Sequence, residues 1–452
     1  MYFDYSEIAL ATGEEVLITS NSQERFNINT DSRTVSKDNV FLALSGQSFD
    51  GHNFVFSAID KGCKGFIIDK TKTELISQIK DKVDFILISE NTLITYLKIA
   101  RYFRNKVAPK VIAITGSSGK TTTKEIIYSV VSQKFKSHKT KLNHNNEIGL
   151  CQTLLNMPVE TECCVVEMGM RGLGEIQLLS EFAVPDVAVI TNVGTAHIGR
   201  LGSEDNIAVA KAEITNYLSK DGVLIAHDSE LLKKNLKWQA QSVFYDIKNN
   251  NTEILSATPE GSVFMYKNNT YELKVSGEYN ILNSLSAIET GLYLGMTPDE
   301  INEGLKSYQP IENRWEVFNH KSGATIINDS YNANPESVKA SIEAICTTYK
   351  NKKINVLLGD MGELGEHEHS LHKEVGAFAS TMNLKSFLTL GELTKISAEE
   401  FNAKKINEIQ QISFNEHAEV VEYLKLNLTD NDVLLLKASR FMKFDEIANQ
   451  LR

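Results

Sequence analysis

The stretch VIAITGSSGKTTTK, residues 111–124, constrains the fold of this chain more than any other segment. The apolar run 111–115 predicts a buried parallel strand, and GSSGKTT predicts a sharp turn into a helix that begins near Thr121. Gly116 and Gly119 allow the backbone to curl so that successive amides face an anion, and the helix N-terminus adds its positive dipole. The sequence therefore predicts an α/β fold built around a phosphate-binding loop.

The residue types in this loop indicate nucleotide chemistry. Lys120 would reach the β- and γ-phosphates, and the Thr121 hydroxyl would hold Mg²⁺. Ile114 occupies the position of the first glycine in the full Walker pattern, so the loop is a shortened form, TGSSGKTT. A Gly/Ser turn that binds nothing is the alternative, and the strand before the loop and the amphipathic helix after it argue against that alternative.

Composition limits the function classes. The length of 452 residues predicts about three domains, and 42% apolar with 23% charged residues is typical of a globular protein. The net charge of -11 argues against a nucleic-acid partner, which needs a basic face. The five cysteines are scattered without a CxxC pair, which indicates reduced thiols in a cytoplasmic protein. The acidic N-terminal stretch and the lack of a long apolar run predict neither a signal peptide nor membrane insertion.

The first predicted domain, residues 1–106, consists of short apolar strands separated by helical or turn-rich stretches. Ser32 and Arg33 follow Asp31 at a predicted turn, where a serine and an arginine could hold a diphosphate. A capped turn with a solvated arginine explains the same residues equally well. Pro109 marks the linker to the second predicted domain, residues 107–312.

A polar, asparagine-dense loop, KLNHNNEIG, follows the P-loop helix. Asn143, Asn145 and Asn146 supply donors and acceptors without charge, which would suit a polar ligand. A solvent-exposed turn is the alternative interpretation of this loop.

Two later strands of the central segment end in potential metal ligands. The buried strand predicted at 163–168 carries Glu167 at its tip, where a P-loop protein needs a carboxylate to position Mg²⁺; a surface-facing glutamate is the alternative. His197 follows the strand predicted at 186–194 at its carboxyl end, where α/β sheets bind ligands. This position favours contact with metal or phosphate over an ordinary packed histidine.

Two helices carry further candidates. Lys211 lies in the Ala-rich helix predicted at 207–214, and the residues alone do not decide between a functional lysine and a solvated one paired with a glutamate. Asn280 and Asn283 are three residues apart on the helix predicted at 277–287, so they share a face that could meet an adenine edge.

The third predicted domain, residues 313–452, alternates strands and helices and therefore predicts a doubly wound parallel sheet. Its strand-end loops carry polar motifs: DSYNANP, GDMGE and KASR. No Gly-x-Gly-x-x-Gly pattern occurs in this segment, so a dinucleotide cofactor is not expected.

These motifs together resemble the Mur ligase family over essentially the whole chain. The resemblance rests on DSR, DGH, TGSSGKTT, NHNNEIG, EMG, TNVGTAHIG, AKAE, the Asn280/Asn283 pair, DSYNANP, GDMGELG and KASR. DSYNANP with GDMGELG resembles the family member that adds D-alanyl-D-alanine rather than a single amino acid. Two positions depart from the family pattern: Tyr279 stands where His is common, and Ala438 stands where Gly is usual.

The resemblance implies roles for individual residues. The residues implied in ATP binding are Gly116, Ser117, Ser118, Gly119, Lys120, Thr121, Thr122, Asn280, Asn283, Arg314 and Asp329. Those implied in substrate binding are Ser32, Arg33, Asn143, Asn145, Asn146, Ser330, Tyr331 and Asn334. The implied Mg²⁺ ligands are Thr121, Glu167, His197 and a carbamylated Lys211. The implied catalytic residues are Lys120, His197, Lys211 and Asn332.

The resemblance also implies a fold, a reaction and a setting. The fold would comprise a small α/β N-terminal domain that holds UDP, a central P-loop-type parallel-sheet ATPase domain and a C-terminal Rossmann-like doubly wound domain. The reaction would be ATP-dependent ligation of D-alanyl-D-alanine to UDP-N-acetylmuramoyl-tripeptide through an acyl phosphate, by a cytoplasmic monomer. The alternatives are a relative that adds one amino acid, a folylpolyglutamate synthase, or a regulatory ATPase that ligates nothing.

Overall fold

The structure is a computed structural model, and it describes residues 3–20, 24–46, 49–248, 252–405 and 408–452. The chain forms two compact units. The first comprises Met1–Ile112, Lys136–Met168 and Leu178–Pro185, and the second comprises Ala113–Phe135, Gly169–Gln177 and Asp186–Arg452.

The first unit is built on a five-stranded sheet with strand order β1-β5-β4-β3-β2, in which β1 pairs antiparallel to β5 and the other pairs are parallel. Its elements are α1 (Tyr5–Thr12), β1 (Glu15–Thr19), β2 (Asn27–Asn29), β3 (Asn39–Leu42), α2 (Val55–Asp60), β4 (Gly65–Asp69), α3 (Thr73–Ile79), β5 (Phe85–Ser89) and α4 (Thr92–Val107). Residues Phe41, Phe66 and Ile86 lie in the core on one face of this sheet. The fully buried central strands explain why the sequence reads there as short continuous apolar runs.

Strand β6 (Lys110–Thr115) carries the chain from the first unit into the second. It belongs to a six-stranded sheet with strand order β11-β10-β9-β6-β8-β7. The remaining elements of this region are α5 (Lys120–Val131), β7 (Ser137–Lys139), α6 (Glu147–Leu155), β8 (Cys163–Glu167), α7 (Glu175–Ala183), β9 (Val187–Ile190), α8 (Ile198–Leu201), α9 (Glu204–Ala212), β10 (Val223–His227), α10 (Glu230–Asn235) and β11 (Ser242–Tyr245). Strands β7 and β8 of the first unit pair in parallel, as do β9, β10 and β11 of the second, so within each of these groups the C-terminal loops lie at one edge.

The second unit continues through an antiparallel meander and two helices. The strands are β12 (Glu253–Thr258), β13 (Gly261–Tyr266) and β14 (Asn269–Leu273), and the helices are α11 (Glu278–Tyr293) and α12 (Pro298–Ser307). Helix α12 begins with a capping box at Thr297 and with proline in its first turn, two features that fix where it starts.

The last sheet of the second unit has strand order β15-β16-β20-β17-β18-β19, parallel except at the edge strand β15. Its elements are β15 (Glu316–Asn319), β16 (Thr325–Asn328), α13 (Pro335–Thr348), β17 (Lys353–Gly359), α14 (Glu368–Ser380), β18 (Ser386–Leu390), α15 (Thr394–Lys404), β19 (Gln410–Phe414), α16 (His417–Asn427), β20 (Asp432–Lys437) and α17 (Phe444–Leu451). The order places β20 between β16 and β17, so the three loops that follow these strands are neighbours at one edge.

The predicted fold class is confirmed: the chain is α/β, with a small N-terminal sheet, a sheet that contains the P-loop strand and a C-terminal doubly wound sheet. The domain boundaries at 1–106, 107–312 and 313–452 stay a prediction. All five cysteines are free thiols, and four of them are buried.

Candidate active site

The P-loop connects β6 to α5 through two glycines in backbone conformations that other residues rarely adopt. Gly116 has φ of +151°, and a Cβ built on it would lie 1.8 Å from the Thr191 hydroxyl oxygen. Gly119, immediately before α5, has φ of +77°. Both positions therefore favour glycine, and Gly116 most strongly, because an added Cβ there would overlap the Thr191 hydroxyl.

The loop after β9 braces the P-loop. The side-chain oxygen of Asn192 accepts hydrogen bonds from the backbone amides of Ser117 at 3.0 Å and Ser118 at 2.9 Å. The Ser117 hydroxyl donates to the Gly194 carbonyl at 3.1 Å and accepts from the Gly194 amide at 2.9 Å. The TNVGTAHIG motif thus fixes the loop amides, a role for Asn192 that the sequence analysis did not predict.

Lys120 and Thr121 begin helix α5 at the mouth of the loop, and Thr122 is half-buried beside them. The Lys120 ammonium donates to the carbonyl of Gly116 at 2.8 Å. A guanidinium nitrogen of Arg314 lies 3.4 Å from the Thr121 hydroxyl. The structure therefore brings together two predicted cations and the predicted hydroxyl.

Lys211 lies on α9 with its side chain buried. Burial, together with the nearby charge of Lys120, holds the pKa of the Lys211 amine well below its usual value. A neutral amine is the form of lysine that can react with carbon dioxide, because only the unprotonated nitrogen is a nucleophile. The interpretation as a solvated lysine, left open by the sequence, is wrong for this position.

His197 precedes α8 in a left-handed conformation with φ of +68°. Its Nδ1 lies 2.7 Å from a carboxylate oxygen of Glu363, in the GDMGELG loop. This contact with His197, reinforced by the charges of Arg200 and Arg171, lowers the pKa of Glu363, although partial burial opposes the shift. Because the ionised Glu363 carboxylate contacts Nδ1, the other ring nitrogen of His197, Nε2, is the one that can bind a ligand.

The two asparagines of α11 lie in different surroundings. Asn280 is buried and its amide donates to the Ser276 carbonyl at 2.7 Å. Asn283 faces the P-loop, because a Cβ built on Gly119 would lie 2.8 Å from the Asn283 side-chain oxygen. The shared helix face is therefore present, with Asn283 placed beside the P-loop.

Asp329 directly follows β16 and binds a lysine of the neighbouring strand, β20. One of its carboxylate oxygens accepts from the Lys437 ammonium at 2.7 Å and from the Ser341 hydroxyl at 2.8 Å. Lys437 also donates to the carbonyl of Asn332 at 3.0 Å. Burial lowers the pKa of Lys437, and Asp329 opposes that shift. Lys437, the first residue of KASR, was not predicted as a site residue, because its partners are more than one hundred residues away along the chain.

The other residues of DSYNANP are placed as follows. The Ser330 hydroxyl donates to the Asn328 side chain at 2.6 Å, and Asn332 is exposed. Asn334 caps α13, since its side-chain oxygen accepts from the Ser337 amide at 2.8 Å. Tyr331 packs against Arg314, whose guanidinium carbon lies 4.0 Å from the ring centroid.

The remaining predicted site residues belong to the first unit. The Arg33 guanidinium binds Asp31 through two nitrogens, at 2.9 Å and 2.7 Å, and this contact lowers the pKa of Asp31 to about 2. The carbonyl of Ser32 accepts from Lys61 at 2.7 Å. The turn therefore has the capped geometry of the plainer interpretation, and Arg33 remains largely exposed.

The asparagine loop and Glu167 also lie in the first unit. Asn145 donates to Glu167 at 2.8 Å, Asn146 caps α6 by accepting from the Gly149 amide at 3.0 Å, and Asn143 is exposed. Glu167 is buried at the end of β8, with its backbone amide bound to the Thr140 hydroxyl at 3.1 Å. Asn146 is therefore a helix cap, and Asn145 is a hydrogen-bond donor to the carboxylate that is predicted to bind metal.

Within the described residues, no three His, Cys, Asp or Glu side chains lie together in a way that could hold a metal ion. The predicted set fits Mg²⁺ only if Lys211 supplies oxygen, because Mg²⁺ prefers oxygen ligands and an amine is a poor one. The lowered pKa of the buried Lys211 amine is compatible with conversion to a carbamate, which would supply that oxygen.

A strand, a glycine-rich turn and a helix N-terminus at the edge of a parallel sheet define a phosphate-binding α/β protein. Three family models match the chain: "Mur ligase family, catalytic domain" at residues 26–101, "Mur ligase middle domain" at 114–291 and "Mur ligase, glutamate ligase domain" at 313–440. The chain is 38% identical over 428 residues to the UDP-N-acetylmuramoyl-tripeptide--D-alanyl-D-alanine ligase of Bacillus subtilis (strain 168), covering 93% of this chain and 92% of that relative. This chain belongs to the Mur ligase family.

Solved structures agree with this assignment. A crystal structure of MurF from Acinetobacter baumannii is 28% identical, with a TM-score of 0.89 over 100% of this chain and 99% of that one. The MurF ligase from Thermotoga maritima in complex with ADP is 28% identical, with a TM-score of 0.83 over 94% of this chain and 97% of that one. In the part of the chain that the structure describes, no helix has the length and apolar character needed to cross a membrane.

Proposed function

We propose that this chain is an ATP-dependent ligase that joins D-alanyl-D-alanine to UDP-N-acetylmuramoyl-tripeptide. The products are UDP-N-acetylmuramoyl-pentapeptide, ADP and phosphate, for the synthesis of peptidoglycan precursors. The observation that carries the proposal is the P-loop, in which Gly116 and Gly119 have positive φ and close neighbours that leave little room for a Cβ. The chain is also related over nearly its whole length to ligases with this name. The ADP complex of the Thermotoga maritima relative supports the use of ATP.

The chemistry follows from the two substrates and the P-loop. The tripeptide carboxylate attacks the γ-phosphate of ATP, which gives an acyl phosphate and ADP. Lys120 offsets the negative charge on the transferring phosphoryl group. The free amine of the dipeptide then attacks the acyl carbon, and phosphate leaves with the bridging oxygen. The amine loses its proton as the amide forms.

The proposed residue roles extend this scheme. Gly116 to Thr122 bind the phosphates, with Arg314 and Asp329 beside them and Asn280 and Asn283 at the adenine. The residues proposed for the two peptide substrates and UDP are Ser32, Arg33, Asn143, Asn145, Asn146, Ser330, Tyr331, Asn332 and Asn334. The proposed domains are 1–106, 107–312 and 313–452, and the proposed state is a cytoplasmic monomer.

Mg²⁺ is proposed to be held by Thr121, Glu167, His197 and the carbamate of Lys211. When bound, the ion supplies positive charge to the phosphate oxygens. The carbamate forms when the neutral amine adds to carbon dioxide and loses a proton.

The carbamate is testable without any activity measurement. With ¹³C-labelled carbon dioxide, we expect a carbamate carbon signal in the NMR spectrum of the wild-type chain. Lys211→Met should abolish that signal, whereas Lys274→Met, at an exposed lysine, should retain it. A signal that persists in Lys211→Met would remove Lys211 from the metal site.

Phosphate release tests the function as a whole. With Mg-ATP, release should require both the tripeptide substrate and D-alanyl-D-alanine. Turnover with a single amino acid in place of the dipeptide would point to a relative of different specificity. Turnover with ATP alone would contradict ligation.

A further inference from the structure

Three loops meet at the C-terminal sheet, and the proposed function uses only one of them fully. They are DSYNANP after β16, GDMGELG after β17 and KASR after β20, and their strands are parallel neighbours in the sheet. In an open parallel sheet, ligands bind at the carboxyl ends of the strands. KASR therefore lies where the incoming dipeptide would bind.

Ser439 joins the three loops. Its hydroxyl accepts from the Gly362 amide at 2.9 Å and donates to the Ala333 carbonyl at 3.3 Å. Its backbone amide donates to the Asp360 carbonyl at 3.2 Å. The residue that follows, Arg440, is consequently held at the junction of the loops, while its side chain remains exposed.

Tyr331 of DSYNANP separates two guanidinium groups. Arg314 lies 4.0 Å from the ring centroid and also contacts the Thr121 hydroxyl, so it faces the phosphate side. Arg440 lies 5.4 Å from the same centroid and donates to the Tyr331 hydroxyl at 3.3 Å. Within the described residues, no carboxylate lies at ion-pair distance from Arg440. Tyr331 thus orients an arginine whose charge is not neutralised by the protein.

The substrate has the matching charge. The dipeptide reacts through its amine, and its carboxylate at the other end stays ionised throughout the reaction. An arginine binds a carboxylate through two parallel N–H donors and is the side chain best suited to that geometry. Of the two arginines that contact Tyr331, Arg314 is on the phosphate side, so Arg440 is the one placed for the dipeptide.

We infer that Arg440, oriented by Tyr331, binds the free carboxylate of the incoming dipeptide and makes the ligase select a substrate that ends in an acid. The inference rests on the proposed function, since it names a contact of the proposed second substrate.

The test pairs a protein change with a ligand change. The wild-type chain, Arg440→Ala and Arg440→Lys are assayed with D-alanyl-D-alanine and with D-alanyl-D-alaninamide, which lacks the negative charge. We expect the wild type to show a KM about 30-fold higher for the amide. Arg440→Ala should raise the KM for the acid by about the same factor and should no longer distinguish the two ligands. Arg440→Lys should recover part of the discrimination.

The controls separate recognition from damage to the fold. Lys443→Ala removes an exposed positive charge from the same turn and should leave the discrimination intact. The KM values for ATP and for the tripeptide substrate should stay unchanged in Arg440→Ala, which a misfolded variant would not achieve. Discrimination between acid and amide that persists in Arg440→Ala overturns the inference alone. A wild-type chain that ligates no dipeptide overturns the proposed function together with the inference.

Discussion

Gly119 lies at the point where the P-loop becomes helix α5, and two separate constraints act on it. Its φ of +77° is left-handed, and the space beside its Cα is occupied by the side-chain oxygen of Asn283. The left-handed conformation alone would cost a non-glycine residue about 1 kcal/mol of folding free energy. The contact makes the cost larger, because Asn283 would have to move away from the P-loop.

Gly119→Ala should therefore weaken ATP binding by at least about tenfold, as measured by calorimetry, because the added Cβ would displace Asn283 and shift the start of α5. Gly295→Ala is a matched control: Gly295 has a similar φ of +72°, and no atom lies within 4 Å of its added Cβ. The control should lose a little stability and keep its affinity for ATP. Equal losses of affinity in both variants would show that backbone conformation, and not the Asn283 contact, matters at Gly119.

Single residues also show which parts of the site the sequence could reveal. Lys120 and Thr121 were predictable because the P-loop is a local motif, in which spacing along the chain fixes the geometry. Asn192 was not predicted, because it contacts Ser117 and Ser118 only after two strands pair across more than seventy residues of chain. The burial of Lys211 was equally hidden, because a helix pattern does not reveal what packs against it.

At the scale of elements, helix α13 holds the loop that contains His197. Glu336, in the first turn of α13, accepts from the Thr195 amide at 2.9 Å and from the Thr195 hydroxyl at 3.1 Å. A Cβ at Gly194 would lie 3.1 Å from the Glu336 carboxylate carbon. The Thr195 turn is thus held by α13, while the preceding Gly194 binds the P-loop serine Ser117.

Glu336→Ala should lower the free energy of unfolding by about 2 kcal/mol, since it removes the carboxylate acceptor from two donors that are mostly buried. Glu336→Gln should lose less, because its amide oxygen can still accept one of the bonds. Urea titration of both variants measures the difference, with Glu343→Ala as the control at an exposed glutamate of the same helix. If Glu336→Ala and Glu343→Ala were equally stable, α13 would not hold the Thr195 turn.

The sequence predicted some strands better than others. Strands β16, β17, β18 and β20 fit the alternation of strands and helices predicted for residues 313–452, because each is a buried apolar run bounded by polar turns. The edge strands β1 and β15 and the short β7 were not predicted, since edge strands lack a continuous apolar run. The position of β20 between β16 and β17 could not be predicted either, because strand order depends on contacts between distant parts of the chain.

At the scale of the whole molecule, the chain is expected to form an amide by way of an acyl phosphate. The relatives over most of its length are ligases by name, and its P-loop is built for a polyphosphate. A regulatory ATPase would share the P-loop but would use water as the acceptor. The two mechanisms differ in the fate of the carboxylate oxygens of the tripeptide.

Oxygen labelling tests this claim most directly. The tripeptide substrate is prepared with ¹⁸O in the carboxylate that reacts and is incubated with Mg-ATP and D-alanyl-D-alanine, and both products are analysed by mass spectrometry. If the carboxylate attacks the γ-phosphate, the released phosphate carries a single ¹⁸O and the peptide product gains one dipeptide, with the other ¹⁸O kept in the new amide. Unlabelled phosphate, or labelled tripeptide recovered without the dipeptide, would contradict the account.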